Sequence, residues 1–150
     1  MQKEENRIKE AQGRSLFSAF TITQPEIKSL IFIEDPFSSI DCNFISGSCY
    51  VTSEIKTRDY KHDHFYSKKG WVLEKTKYDA MMQGQDPNEP TQERAFYINI
   101  FQDAIVVYDL SEMFLTFKWE LLREEHTSTK KVWKNVAYLP ISQAAQITLI

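Results

Sequence analysis

The residues whose types and spacing suit chemistry lie between Asp41 and Lys56. Asp41 stands thirteen positions ahead of Glu54, and Glu54-Ile55-Lys56 sits near the end of a strand-like run over 49–57. Strand side chains alternate between faces, so Glu54 and Lys56 share one face with Tyr50 and Thr52. Val51, Ser53 and Ile55 fall on the other. Two carboxylates offer oxygen donors to a hard divalent cation, and an ammonium beside them can polarise an attacking water or steady a phosphate. The set suits magnesium-dependent hydrolysis of a phosphodiester.

A hairpin is needed to bring Asp41 to the other two. Ser46-Gly47-Ser48 reads as the turn between strands over 40–45 and 49–57. Folded about Gly47, the arms set Asp41 opposite Ser53, one position from Glu54. Two carboxylates at that spacing repel without a cation, so at least one should have a raised pKa.

With Asp41, Glu54-Ile55-Lys56, Thr57-Arg58 and the following Leu73-Glu74-Lys75-Thr76-Lys77-Tyr78, the chain resembles the PD-(D/E)XK, or restriction-endonuclease-like, nucleases. The likeness covers roughly 26–110, and Ile40 stands where the family's proline often precedes the aspartate. It implies an α/β fold, a mixed β-sheet flanked by helices, that cuts DNA with Mg²⁺ or with Mn²⁺ in its place. It also implies roles. Asp41 and Glu54 bind the ion with the carbonyl of Ile55, and Lys56 orients the water or offsets charge on the phosphate. The family often adds an acidic residue from its first helix, for which Glu4, Glu5 and Glu10 are available. A catalytically inactive nucleic-acid-binding or interaction domain on the same scaffold is the alternative.

Cations follow the motif. Arg58, Lys61, Lys68, Lys69, Lys75 and Lys77 join Lys56 to give 54–77 an excess of three positive charges, with Tyr60, Phe65, Tyr66 and Trp71 among them. Such a stretch can grip a phosphate backbone and stack bases. His62 and His64 are two apart, which suits an ordinary polar loop better than a zinc site with His126 far away.

The remaining elements must hold this centre. A helix is expected over 3–20, with Ile8, Ala11, Leu16, Ala19 and Phe20 as its apolar stripe, weakened by Gly13. A strand follows over 27–33. The spacing of Leu73, Lys77, Ala80 and Met81 predicts a helix over 72–83, stopped by Gly84, and Pro87 and Pro90 mark a loop over 85–91. Strands are expected over 94–101, 104–110, 114–122 and 132–139, and a short helix capped by Ser142 over 142–147. Trp71, Trp119 and Trp133 read as core or rim packing.

With 150 residues and 42% hydrophobic composition, the chain is expected to form one folded domain over 1–150. Its net charge of −3 does not itself point to nucleic acid, although a local basic patch suffices. There is no Gly-rich phosphate loop and no Gly-x-Ser-x-Gly elbow. No apolar run reaches membrane-spanning length, and the polar N-terminus lacks a leader's apolar core, so a cytoplasmic protein with no membrane partner is expected. Cys42 and Cys49 are expected to stay reduced.

Overall fold

The computed structural model describes residues 2–35, 38–64, 70–83, 93–124 and 128–150. In chain order the elements are α1 (Gln2–Ile22), β1 (Ile27–Phe32), β2 (Cys42–Ser46), β3 (Cys49–Thr57), β4 (Trp71–Glu74), α2 (Lys75–Met82), β5 (Glu93–Ile100), β6 (Ala104–Asp109), β7 (Lys118–Arg123), β8 (Lys131–Leu139) and β9 (Gln146–Leu149). One sheet runs β1-β2-β3-β5-β6-β9, and a smaller one runs β4-β8-β7. Among the described residues β3 and β5 pair in parallel, and every other pairing is antiparallel. The architecture is mixed α/β, a mostly antiparallel sheet flanked by two helices. No helix among the described residues is long and apolar enough to cross a membrane.

Alternation on β3 and β5 divides the core in two. Val51, Ile98 and Ile100 face α1, where Phe17, Phe20 and Phe44 complete one cluster. Ala95 and Tyr97 face the other way, against Trp71, Leu73, Met81 and Leu139. A side chain such as Phe17, 1% exposed, stabilises the fold by about 2–3 kcal/mol through burial.

The stripe of α1 differs from the one expected. Ile8, Ala11, Leu16 and Ala19 are exposed, while Gly13, Phe17, Phe20 and Thr21 are buried. Gly13 explains the rotation. A Cβ there would lie 2.5 Å from Thr57 Oγ1, so the missing side chain lets the helix press onto β3.

The small sheet is joined to the large one by a partly buried polar network. Arg58 Nε donates to Asn99 Oδ1 at 2.8 Å, and Nη2 donates to Tyr97 Oη at 3.1 Å and Val72 O at 3.2 Å. Tyr97 Oη also donates to Val72 O at 3.1 Å, and the guanidinium lies 4.9 Å from the centre of the Trp71 ring. Farther along, Tyr108 Oη donates to Leu139 O at 3.2 Å.

Long-range pairing changes three expected elements. Residues 71–74 form β4, not the first turn of a helix, because they pair with residues 136–139 of β8. The helix expected over 142–147 is a single 3₁₀ turn, Ile141–Gln143, followed by β9, which pairs with β6. The strand expected over 114–122 begins only at Lys118. The expected stop at Gly84 and the loop over 85–91 lie outside the described residues. Cys42 and Cys49 are not joined in a disulfide, and Cys42 Sγ contacts Ser53 Oγ at 2.9 Å inside the hairpin.

Gly70 supplies a test of how the small sheet is seated. Its φ of +109° is one that other residues rarely adopt, and a Cβ would lie 2.4 Å from the Leu139 carbonyl carbon. Gly70→Ala is expected to cost about 2 kcal/mol or more. In thermal melts that is a fall in Tm on the order of 5 °C; an unchanged Tm would show that the β4–β8 seam yields freely.

Candidate functional site

The hairpin register places the two acidic residues together. Cys42 pairs with Ser53, so Asp41, one residue before β2, lies opposite Glu54. The Asp41 N–H donates to Ser53 O at 2.9 Å, and the Asp41 carbonyl accepts from Ile33 N–H at 2.8 Å, which fixes its backbone from both neighbours.

Both Asp41 carboxylate oxygens are engaged. Oδ2 accepts the Ile55 N–H at 2.8 Å, and Oδ1 accepts from Arg14 Nη2 at 3.1 Å. Arg14 reaches across from α1, donating also to Ile33 O at 3.1 Å with its guanidinium 5.4 Å from the Phe32 ring centre. In a strand the N–H and C=O of one residue leave on the same edge. The Ile55 carbonyl therefore points toward the Asp41 side.

Glu54 is 8% exposed, and its Oε1 lies 3.1 Å from Lys77 Nζ on α2. Burial pushes its pKa up to about 8, and the Asp41 charge and a hydrogen bond shared with Asp41 add to the rise. Lys77 opposes it. Near neutrality Glu54 is mainly the acid, and the pair holds one negative charge where separate carboxylates would hold two.

Lys56 lies opposite Asn99 of β5. Its side chain keeps an exposed surface, yet protein packed around the ammonium lowers its pKa, and the Arg58 cation lowers it further. Glu54 and Glu74 act in the other direction. Asn99 is fully buried, and its Nδ2 has no hydrogen-bond partner among the described residues. Asp41, Glu54, Ile55 and Lys56 thus come from two adjacent strand ends.

The cations after the motif divide among separate tasks. Arg58 is turned into the seam between the sheets, and Lys77 is turned onto Glu54. Lys75 pairs with Asp79 at 2.7 Å, and Lys61 is exposed. Lys68, Lys69, Phe65 and Tyr66 lie outside the described residues. Glu4, Glu5 and Glu10 are exposed, and Glu4 lies 3.7 Å from Arg7. The α1 side chain that reaches Asp41 is Arg14.

Arg14 lies outside the expected site residues. Its signal in the sequence is its place one residue after Gly13 and three before Phe17, on the side of the helix that meets the sheet. Lys77, expected among the phosphate contacts, instead meets Glu54 from α2.

A second group sits by the β5–β6 turn. His62 Nδ1 lies 2.8 Å from Asp103 Oδ2, and the His62 N–H donates to Asp103 Oδ1 at 2.8 Å. With Asp63 these offer ligand atoms within 4.8 Å of one another. His64 instead stacks on Tyr60, with ring centres 4.3 Å apart. No protein-family model matches the chain, and neither a curated protein nor a solved structure matches it.

The raised pKa of Glu54 fixes a pH dependence. A folded value of about 8 against an ordinary 4.5 means that the folded state holds a proton the unfolded chain releases. Stability from this group is full below the ordinary value and is lost as pH climbs through the folded one. In chelator, thermal melts between those values should show Tm falling as pH rises, and Glu54→Gln should flatten that fall. A wild-type slope in the Gln variant would assign the dependence to another group.

Proposed function

We propose that the chain is a Mg²⁺-dependent nuclease that hydrolyses phosphodiester bonds of DNA on a restriction-endonuclease-like fold, with Mn²⁺ able to replace Mg²⁺. The observation that carries this reading is Asp41 opposite Glu54, with Lys56 two residues along. The element order supports it as well. A helix, an antiparallel β1-β2-β3 meander, then, after the short β4 of the other sheet, a helix and a strand parallel to β3 form a unit whose strand ends gather the charged set.

The donors fit the ion. Asp41, Glu54 and the Ile55 carbonyl are all oxygen ligands, the kind Mg²⁺ takes, and carboxylate oxygens already hydrogen-bonded on one lone pair keep another. When bound, the ion supplies Lewis acidity and makes a water nucleophilic near neutral pH.

The chain's own residues do the rest. Arg14 and the Ile55 N–H hold the Asp41 carboxylate in one orientation. Lys77 steadies Glu54 from α2. Lys56, with its lowered pKa, directs a proton-bearing ammonium toward an attacking water or a phosphate oxygen as charge gathers there. A strand face shared by Glu54 and Lys56 keeps these tasks within reach of one phosphate.

One observation favours the alternative of a catalytically inactive binding domain on the same scaffold. Arg14 and Lys77 already engage the oxygens of the two acidic residues without an ion. Cleavage of labelled DNA in single-stranded, duplex and branched forms separates the readings. Wild type should cut with Mg²⁺ or Mn²⁺, and Glu54→Ala and Lys56→Ala should each lose about a hundredfold or more while staying folded. Unchanged cutting by either variant would remove that residue from the active site, and inert wild type on every form would favour the binding domain.

A further inference from the structure

The β7–β8 hairpin carries an apolar face that no described residue covers. Leu121 pairs with Trp133, Trp119 with Asn135, and Arg123 with Lys131, so these six side chains share one face. On β8 the same face continues to Ala137 and Leu139, 1% and 0% exposed beneath the small sheet. Farther out it emerges. Trp119 and Trp133 are each 66% exposed and Leu121 is 47% exposed, whereas Trp71, expected like them to pack, is buried.

The charge on this face has one sign. Arg123 and Lys131 are exposed cations, and none of the six residues is acidic. The described carboxylates nearby, Glu120 and Glu124, have partners elsewhere. Glu120 accepts from Tyr138 Oη on the opposite face, and Glu124 lies 3.7 Å from Lys130 beyond the strand end. Two uncovered indoles beside cations are suited to a ligand with flat π faces and regular negative charge. A second copy of the chain fits poorly, since the six described side chains of this face would offer it cations and no carboxylate to meet them.

The hairpin is also tied to the candidate active site. Lys134 Nζ on β8 lies 3.6 Å from Glu74, which precedes α2 and whose charge acts on Lys56. A strand held on the indoles thus lies on an arm rooted beside that site.

We propose that the Trp119–Trp133 face binds single-stranded nucleic acid, its bases stacked on the indoles and its phosphates against Arg123 and Lys131. As a statement about what the site cuts, this rests on the nuclease reading; as a statement about binding, it does not.

The test is a titration of the full chain with a short fluorescein-labelled oligothymidylate, in chelator so that nothing is cut, read by tryptophan emission and, for variants lacking an indole, by fluorescein anisotropy. Emission should be quenched, and Trp119→Ala and Trp133→Ala should each weaken binding about tenfold. Trp133→Phe should retain much of the affinity, which a folding defect would not allow. Arg123→Ala with Lys131→Ala should flatten the salt dependence. Absence of quenching, or equal affinity in the double tryptophan-to-alanine variant, would overturn the proposal. Equal binding of a blunt duplex would overturn the single-strand assignment. Concentration-dependent dimerisation in sedimentation, abolished by Trp133→Ala with no oligonucleotide binding, would assign the face to a second copy and overturn it too. Oligonucleotide binding without metal-dependent cleavage would uphold the face and count against the nuclease; cleavage without binding here would do the reverse.

Discussion

Two acidic residues brought face to face on neighbouring strands are the constraint around which the rest is arranged. The β2–β3 register leaves Asp41 and Glu54 no other place, since a shift of one residue would turn the whole apolar set of β3 away from α1. Their mutual repulsion and the loss of water around Glu54 must be offset. Arg14 and the Ile55 N–H do so at Asp41, Lys77 does so at Glu54, and Glu54 keeps its proton toward neutral pH. Each helix contributes one of those cations. Both helices are therefore bound to the pair electrostatically as well as packed against the sheet.

A second polar group does a different job. Arg58, two positions past Lys56 and on the same face, is the bridge between the sheets through Asn99, Tyr97 and the Val72 carbonyl. A half-buried guanidinium requires such partners, and here they fix β4 and hence the start of α2. Lys77 reaches Glu54 because α2 starts where it does. The seam of the fold and the chemistry of the candidate site thus meet at one strand end.

Local pattern made much of this legible. Gly47, with φ of +61°, turns the hairpin, and alternation along 49–57 set Glu54 and Lys56 on one face. The β3 boundaries follow directly from that alternation. What local pattern lacks is knowledge of distant partners. Residues 71–74 carry a spacing that suits a helix, and only β8, more than sixty residues later, makes them a strand. Ser142 signals a helix start, but β6 claims 146–149 as an edge strand. On α1, counting apolar residues favoured Ile8 and Leu16, whereas close approach at Gly13 decided which side is buried. Arg14 was hidden by the same error. The exposed indoles on β7 and β8 were hidden by a sound rule, that tryptophan is usually packed.

Whether the Asp41–Glu54 pair holds a divalent cation decides the role of the site. Calorimetric titration of the full chain with Mn²⁺ at pH 7, in two buffers of different ionisation enthalpy, measures binding and proton release together. The acid form of Glu54 must lose its proton to become a ligand. The account predicts one ion bound with about one proton released, the release fading above pH 8, and loss of this binding in Glu54→Gln. Absence of binding, or the same binding and proton release in the Gln variant, would contradict it.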